Sequence, residues 1–181
     1  MMNALDLGCG PNPRNPFAAD LVYGVDLQDF GNPLIKVADL AIQPIPFEDN
    51  SFDYLTAYDF LEHIPRQLYL TEFTLSNLST TAAKGGVVRL YPFVNVMSEI
   101  WRVLKLGGTF MSSTPAFPHA AAFQDPTHVN YVTPDTFGEY FDEFKTWGKN
   151  YGFKGKFSIK AMDYFGPHLV VTMTKLSNDI V

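Results

Sequence analysis

The chain of 181 residues suits one domain with a single core, and its 46% hydrophobic and 18% charged residues predict a folded protein. A net charge of -6 without a run of Lys or Arg argues against nucleic-acid binding, because phosphate contacts need clustered cations. One cysteine excludes an internal disulfide or a cysteine zinc cluster. No apolar run of membrane length and no signal-peptide pattern is found, so we expect a cytoplasmic protein that does not bind membranes.

Short apolar segments that end in Gly, Pro or acidic residues predict buried strands. They lie before the Gly8 turn, at 21–27, at 33–40, at 51–60 and at 105–115, and two further strands flank Gly166-Pro167 as a hairpin.

Two segments have helical patterns. Apolar residues at helical spacing predict a helix over 92–105 that stops at Gly107-Gly108. Thr133 as N-cap, Pro134 and a stripe of aromatic residues predict a second helix over 133–147. Strands that alternate with helices indicate an α/β fold, a Rossmann-like, mostly parallel seven-stranded sheet with a C-terminal antiparallel hairpin and helices on both faces.

We predict a single domain over residues 1–181, with an insertion at about 66–91 that is Ser/Thr-rich and long for a connection. Two interpretations stay open for this insertion. It is either a lid or binding loop, or a surface excursion without a role.

Polar groups follow the predicted strands where ligands bind in parallel α/β sheets, beyond the carboxyl ends. They are the Gly8-Cys9-Gly10 turn, Asp26, Asp39 and Asp59. Asp26 comes 18 residues after Gly8, close to the ~20 expected for an acid that binds ribose hydroxyls. The alternative is a set of tight turns with solvated acids.

The turn after the first strand argues against a dinucleotide. Pro13 stands where a dinucleotide fold has its third glycine, and two prolines break the helix start that would hold a pyrophosphate. Asp6 adds a negative charge beside the ligand. These features favour a cationic nucleoside without phosphates, such as S-adenosylmethionine, and disfavour a nucleotide-linked oxidoreductase.

Four motifs in order carry a family resemblance over roughly residues 3–114. "LDLGCGPNP" resembles motif I of class I S-adenosylmethionine-dependent methyltransferases, and "YGVDL" resembles their ribose-binding strand end. "PIPFEDNSFDYLTAYDFLEHI" is similar to the adenine-side loop and fourth strand, and "EIWRVLKLGGTF" to the late helix and fifth strand.

The resemblance implies S-adenosylmethionine as the cofactor. Its methionine end would contact the backbone of Leu7, Gly8 and Gly10, with Cys9 in the same turn. Asp6 would approach the amino group.

The resemblance also places the nucleoside. Asp26 would bind the ribose hydroxyls, Leu27 would contact the adenine, and Asp39 with Leu40 would lie beside the adenine amino group. His63 completes "LEHI", where packing and hydrogen bonding are its expected roles. The floor near the sulfonium would be lined by Tyr58, Asp59 and Phe60.

The acceptor would meet the loop over 114–134, which contains "AAFQDPTHVNY". His128 is the best candidate for a catalytic base, with Asp125 to orient it and Tyr131 to supply a hydroxyl. A metal site of Asp125, His128 and His119 matches no strong motif, so we predict no metal. The alternative is that Asp125 caps a turn and His128 holds the loop.

We therefore predict an enzyme that transfers methyl groups from S-adenosylmethionine to a small-molecule acceptor, at a hydroxyl, carboxyl, amine or carbon. The alternative is a catalytically weak S-adenosylmethionine-binding sensor or partner subunit. Family members carry helical segments before motif I, whereas the first predicted strand here begins near Met1. We expect the insertion or a partner, such as the second copy in a homodimer, to close the site.

Overall fold

The computed structural model describes residues 1–71 and 87–178, and a seven-stranded sheet is its central element. Strands and helices are numbered in chain order. The strands of the sheet are β1 (Asn3–Leu7), β2 (Leu21–Asp26), β3 (Ile35–Val37), β4 (Phe52–Tyr58), β7 (Leu104–Pro115), β8 (Phe157–Phe165) and β9 (His168–Lys175).

The strand order is β3-β2-β1-β4-β7-β9-β8. The first five strands in this order are parallel, and β9 runs antiparallel to both of its neighbours. This confirms the Rossmann-like fold class and the hairpin at Gly166-Pro167. The chain moves outward from β1 to β3 and then crosses to β4 on the other side of β1. The strand order therefore reverses between β1 and β4, which is where such sheets bind ligands.

The first helix, α1 (Pro92–Val103), covers one face of the sheet. Its buried side chains Phe93, Met97 and Ile100 join the same hydrophobic cluster as Leu5 and Leu55 of the central strands. The helical spacing in this segment thus correctly predicts a helix. However, β7 begins directly at Leu104, so the expected stop at Gly107-Gly108 lies inside a strand.

A loop covers the opposite face of β1 and β4, which carries Ala4, Asp6 and Thr56. The connection after β1 has no helix, and in it the Phe17 ring stacks on Tyr54 with the ring centroids 4.5 Å apart. Proline recurs through this connection, which prevents helical hydrogen bonding. The sequence predicts this absence of a helix from its prolines, so the predicted helices on both faces do not extend to this part of the sheet.

The helix expected over 133–147 is much shorter. Two short helices follow β7, namely α2 (Ala121–Gln124) and α3 (Pro134–Gly138). Thr133 and Thr136 form the capping box that begins α3, as the sequence indicates. Past Gly138 the chain turns, so that the Asp142 carboxylate accepts a hydrogen bond from the Ile159 amide at 2.9 Å. Phe144, expected in the apolar stripe, is 87% exposed.

Only the ends of the proposed insertion fall in the described part of the chain. They are β5 (Leu68–Thr71) and β6 (Val87–Leu90), which pair antiparallel and apart from the main sheet. Residues 72–86 lie outside the described residues, so the lid interpretation stays a prediction. No helix in the described ranges is long and apolar enough to cross a membrane.

Candidate functional site

The turn after β1 approaches β2 and the end of β4 closely. The Gly8 and Cys9 amides both donate to the Val25 carbonyl, at 2.9 and 3.3 Å. Gly8 has a φ of 64°, and a Cβ placed on it would lie 2.7 Å from Cδ2 of Phe60. Only glycine meets both conditions without strain, which explains its place in the motif.

The Asp6 carboxylate, at the end of β1, holds this turn through hydrogen bonds. Asp6 is 2% exposed, its Oδ1 accepts from the Thr56 hydroxyl at 2.6 Å, and its Oδ2 accepts from the Arg14 amide at 2.8 Å. Burial raises the pKa of the carboxyl, although the hydrogen bonds from Arg14 and Thr56 oppose that rise. Both oxygens thus already have partners within the protein, and the contact of Asp6 with a ligand amino group stays a prediction.

Asp26 supports the turn from the end of β2. Its Oδ2 accepts from the Gly10 amide at 2.9 Å and its Oδ1 from the Gln28 amide at 3.0 Å. The side chain of the next residue, Leu27, is apolar yet 68% exposed. A carboxylate on a fixed turn can accept hydrogen bonds from the hydroxyl groups of a sugar. The exposed apolar side chain next to it can pack against an aromatic ring.

A cleft opens at this edge of the sheet, between the strand ends and the segment that follows β4. It brings together seven of the thirteen residues predicted to bind the cofactor, namely Gly8, Asp26, Leu27, Asp39, Leu40, Phe60 and His63. Val25, Ala38, Ala41 and Ile64 complete its apolar lining. Leucine, alanine and phenylalanine side chains with a few polar groups are typical of a small-molecule site.

The other predicted cofactor residues do not line this cleft. Leu7 is fully buried in the core. Cys9 donates from Sγ to the Gly10 carbonyl at 3.1 Å, and burial together with the charges of Asp6 and Asp26 raises the pKa of its thiol to about 12. The thiol is therefore protonated at neutral pH, which argues against a nucleophilic role.

The chain leaves β4 in an unusual conformation. Asp59 has a φ of 48°, which is uncommon for a residue other than glycine, and its Oδ1 lies 2.8 Å from Nε2 of His168. The Arg14 guanidinium lies over the Tyr58 ring, 4.4 Å from its centroid. Burial raises the pKa of the Tyr58 hydroxyl, so the ring stays neutral here.

The predicted acceptor loop is fixed to the 3-10 turn Leu61–His63 through main-chain hydrogen bonds. The Val129 and Asn130 amides both donate to the Glu62 carbonyl, at 2.9 and 3.0 Å. This contact brings the His63 and His128 rings together, with centroids 5.0 Å apart. The structure thus joins the histidine of the cleft to the histidine of the acceptor loop.

The Glu62 side chain lies inside this junction. It is 1% exposed, and neither of its carboxylate oxygens has a hydrogen-bond partner among the described residues. Oε1 lies 4.0 Å from Nε2 of His128. Burial, with added repulsion from Asp59 and Asp125, raises the pKa of the Glu62 carboxyl from 4.5 to about 7, although the amide of Glu62 itself opposes that rise.

The remaining polar residues of the loop have local partners. The Asp125 Oδ1 accepts from the Thr127 hydroxyl at 2.7 Å, whereas Nδ1 of His128 lies 3.2 Å from the Ala122 carbonyl. Asp125 therefore caps a turn, as the alternative interpretation expects. It does not orient His128 by a hydrogen bond. The Tyr131 ring packs against Phe123, and Nδ1 of His119 accepts from the Ala121 amide.

Two residues of the site were missed from the sequence. Glu62 follows the buried Leu61 but precedes the exposed His63, so no local pattern signalled its burial. His168 begins the last strand, and only the sheet order brings it to Asp59.

Comparisons with known proteins agree with this fold. No protein-family model matches the chain, and no curated protein matches it in sequence. Solved structures do match over nearly its whole length. An S-adenosylmethionine-dependent methyltransferase from Mesorhizobium loti has a TM-score of 0.58 at 16% identity, over 96% of this chain and 91% of that one.

Two other matches carry different names. A chain in the complex of the Haloferax volcanii Trm112 methyltransferase activator with a candidate methyltransferase has a TM-score of 0.58 at 13% identity, over 97% of this chain and 83% of that one. The cyclase SpnF has a TM-score of 0.55 at 14% identity, over 97% of this chain and 74% of that one. At these identities the likeness establishes the fold and leaves the activity to the site.

The raised pKa of Glu62 predicts how stability depends on pH. Between pH 4.5 and about 7 the unfolded chain loses this proton while the folded chain keeps it, so the free energy of unfolding falls as pH rises. In buffer with a chelator, we expect Glu62→Gln to remove this part of the decline, measured by urea unfolding across that range. Glu48→Gln, at an exposed position, is the control. Parallel pH profiles for wild type and Glu62→Gln would contradict the assignment.

Proposed function

We propose that this chain, which has the fold of class I S-adenosylmethionine-dependent methyltransferases, transfers methyl groups from S-adenosylmethionine to a small-molecule acceptor. The observation that carries the proposal is the cleft at the strand-order reversal, where the Gly8 turn, the Asp26 carboxylate and the exposed Leu27 meet. Seven residues that the motifs single out for the cofactor line this one cleft.

In this proposal the nucleoside lies across the ends of β2 and β3. Asp26 accepts the ribose hydroxyls, and Leu27 and Leu40 contact the adenine. The Asp39 Oδ1 accepts from the Ala41 amide at 3.0 Å, which holds the carboxylate in place, and Asp39 would bind the adenine amino group from the lining of the cleft. The backbone from Leu7 to Gly10 contacts the methionine end.

The turn after β1 supports a nucleoside without a pyrophosphate. A pyrophosphate site uses the N-terminus of a helix after this turn, and residues 8–20 contain no helix. The buried Asp6 and the Asp26 carboxylate also place two acidic groups around the turn. These charges favour a sulfonium ligand and oppose a phosphate group.

The acceptor would bind between the end of β4 and the loop after β7. Tyr58, Asp59 and Phe60 come from the first side, and His128 from the second. Transfer from a sulfonium mainly requires the acceptor to be held in line with the methyl group. In this proposal His128 takes the proton of a hydroxyl acceptor. General-base catalysis of this kind raises the reaction rate by about 10²- to 10⁴-fold.

A second function is favoured by one structural match. The methyltransferase candidate in the Haloferax volcanii complex is named together with an activator protein. A binding subunit with weak activity of its own, which works with a partner or as a homodimer, is therefore the alternative. The single-domain organisation and a cytoplasmic location stay predictions in either case.

The ribose contact is tested by replacing its acid. We expect Asp26→Ala to weaken binding of S-adenosylhomocysteine by about 10- to 100-fold, because hydrogen bonds to a charged group are lost. Calorimetric titration measures this affinity. Asp29→Ala is the matched control. Among the described residues the Asp29 Oδ1 accepts only from the nearby Gly31 amide, and Asp29 lies outside the cleft. Equal affinities for the two variants would refute the placement of the ribose.

The acceptor side is tested at His128. With a mixture of metabolites as acceptors, we expect His128→Ala to lower release of S-adenosylhomocysteine by about 10²-fold or more while cofactor affinity changes little. His119→Ala is expected to keep wild-type turnover, because His119 lies on the same loop and, in the part of the chain that the structure describes, bonds within its own turn. Wild-type turnover in His128→Ala would mean that this histidine only holds the loop.

A further inference from the structure

Three side chains converge where the 3-10 turn after β4 meets the loop after β7. Glu62, His63 and His128 each offer one nitrogen or oxygen atom, and these atoms all lie within 4.8 Å of one another. This trio differs from the one that the sequence suggested and disfavoured. Asp125 and His119 have no part in it, because both bond within their own turns.

The strongest sign of a ligand site is the Glu62 carboxylate. It is 1% exposed, and its two oxygens lack hydrogen-bond partners in the described ranges. A buried carboxylate without partners is costly and rare in folded proteins. The nearest polar atom of the trio, Nε2 of His128, lies 4.0 Å from Oε1, which is too far for a hydrogen bond. A positive ion between them would satisfy both groups.

The hydrogen bonds of the two histidines leave one nitrogen of each free to bind an ion. Nδ1 of His128 faces the Ala122 carbonyl at 3.2 Å and can only donate to it, so Nε2 carries the lone pair beside Glu62.

His63 is oriented through Thr127. Its hydroxyl donates to Asp125 Oδ1 at 2.7 Å, so its oxygen accepts from Nδ1 of His63 at 3.1 Å and the lone pair of His63 is on Nε2. A hydrogen bond from the second ring nitrogen to a protein oxygen is typical of histidines that bind metals.

We propose that Glu62, His63 and His128 bind a divalent transition-metal cation of the Zn²⁺ class. Two imidazoles and one carboxylate match the ligands that such ions prefer, whereas Mg²⁺ and Ca²⁺ prefer oxygen ligands alone. Three protein ligands leave a coordination position for water or for an oxygen of a bound molecule.

The surroundings favour a cation at this place. Asp59 and Asp125 both lie near enough to disfavour the charged form of Glu62, and a cation bound to Glu62 would offset that repulsion. The main-chain bonds from Val129 and Asn130 to the Glu62 carbonyl hold the two segments together without any ion. Bonds of about 2.0–2.2 Å to a metal would draw the three ligand atoms closer by roughly 1 Å, a change within the reach of side-chain rotation.

Metal binding at this site does not depend on methyl transfer. Because Nδ1 of His128 donates to the Ala122 carbonyl, Nε2 can take either the ion or an acceptor proton, so the base role proposed for His128 belongs to the metal-free chain. His63 also lines the cleft, so the ion would stand at the border between the cofactor side and the acceptor side. Metal binding can therefore be measured on the chain alone, without cofactor or acceptor.

The test uses Co²⁺ as a spectroscopic probe and Zn²⁺ as a calorimetric probe, on the full chain without a histidine tag and after treatment with a chelator. We expect saturable binding of one cation per chain, with a visible cobalt spectrum of the kind given by nitrogen and oxygen ligands. Zn²⁺ should displace the cobalt. Absence of saturable binding by the folded wild-type chain would overturn the proposal.

Two variants separate this site from adventitious binding by surface histidines. Glu62→Gln keeps the shape of the side chain but removes its charge, and we expect it and His128→Ala to weaken binding by at least about 10-fold. His119→Ala should bind like wild type. Circular dichroism confirms that each variant is folded. Equal affinities of Glu62→Gln and wild type would overturn the assignment, and so would loss of binding in His119→Ala alone.

Discussion

Two buried or half-buried carboxylates shape the turn on which the candidate site depends. Asp6 binds the Arg14 amide from β1, and Asp26 binds the Gly10 amide from β2. The turn between them is rich in proline and contains no helix, so it lacks the repeating hydrogen bonds that would fix its shape. The two acids supply that fixation instead. They also give this connection two acidic groups against the one guanidinium of Arg14, a balance that in our proposal favours a cationic ligand.

The segment after β4 links the two sides of the site. Phe60 packs so close to Gly8 that no side chain fits there, and His63 lines the cleft. The Glu62 carbonyl meanwhile holds the acceptor loop through two amides. The left-handed residue Asp59, bonded to His168, sets the direction in which this segment leaves the sheet. Cofactor and acceptor would therefore be positioned by one short turn.

Local patterns in the sequence predicted the sheet, the hairpin and α1 correctly, because strand ends and helical spacing are local signals. They also named seven of the eleven residues that line the cleft, whose role in cofactor binding stays a prediction. The helix over 133–147 failed because contacts of Asp142 with β8 outweighed the spacing of its aromatic residues. The pairing of His168 with Asp59 and the burial of Glu62 depend on segments far apart in the chain. Local sequence patterns cannot predict such contacts between distant segments. For the same reason they did not predict the hydrogen-bond partners of Asp6.

The central claim is that the cleft takes a sulfonium nucleoside and rejects a dinucleotide. Calorimetric titration of the wild-type chain with S-adenosylmethionine, and separately with NAD, tests it most directly. The charge and shape of the turn after β1 predict saturable binding of S-adenosylmethionine and no binding of NAD. Saturable binding of NAD without binding of S-adenosylmethionine would contradict the account.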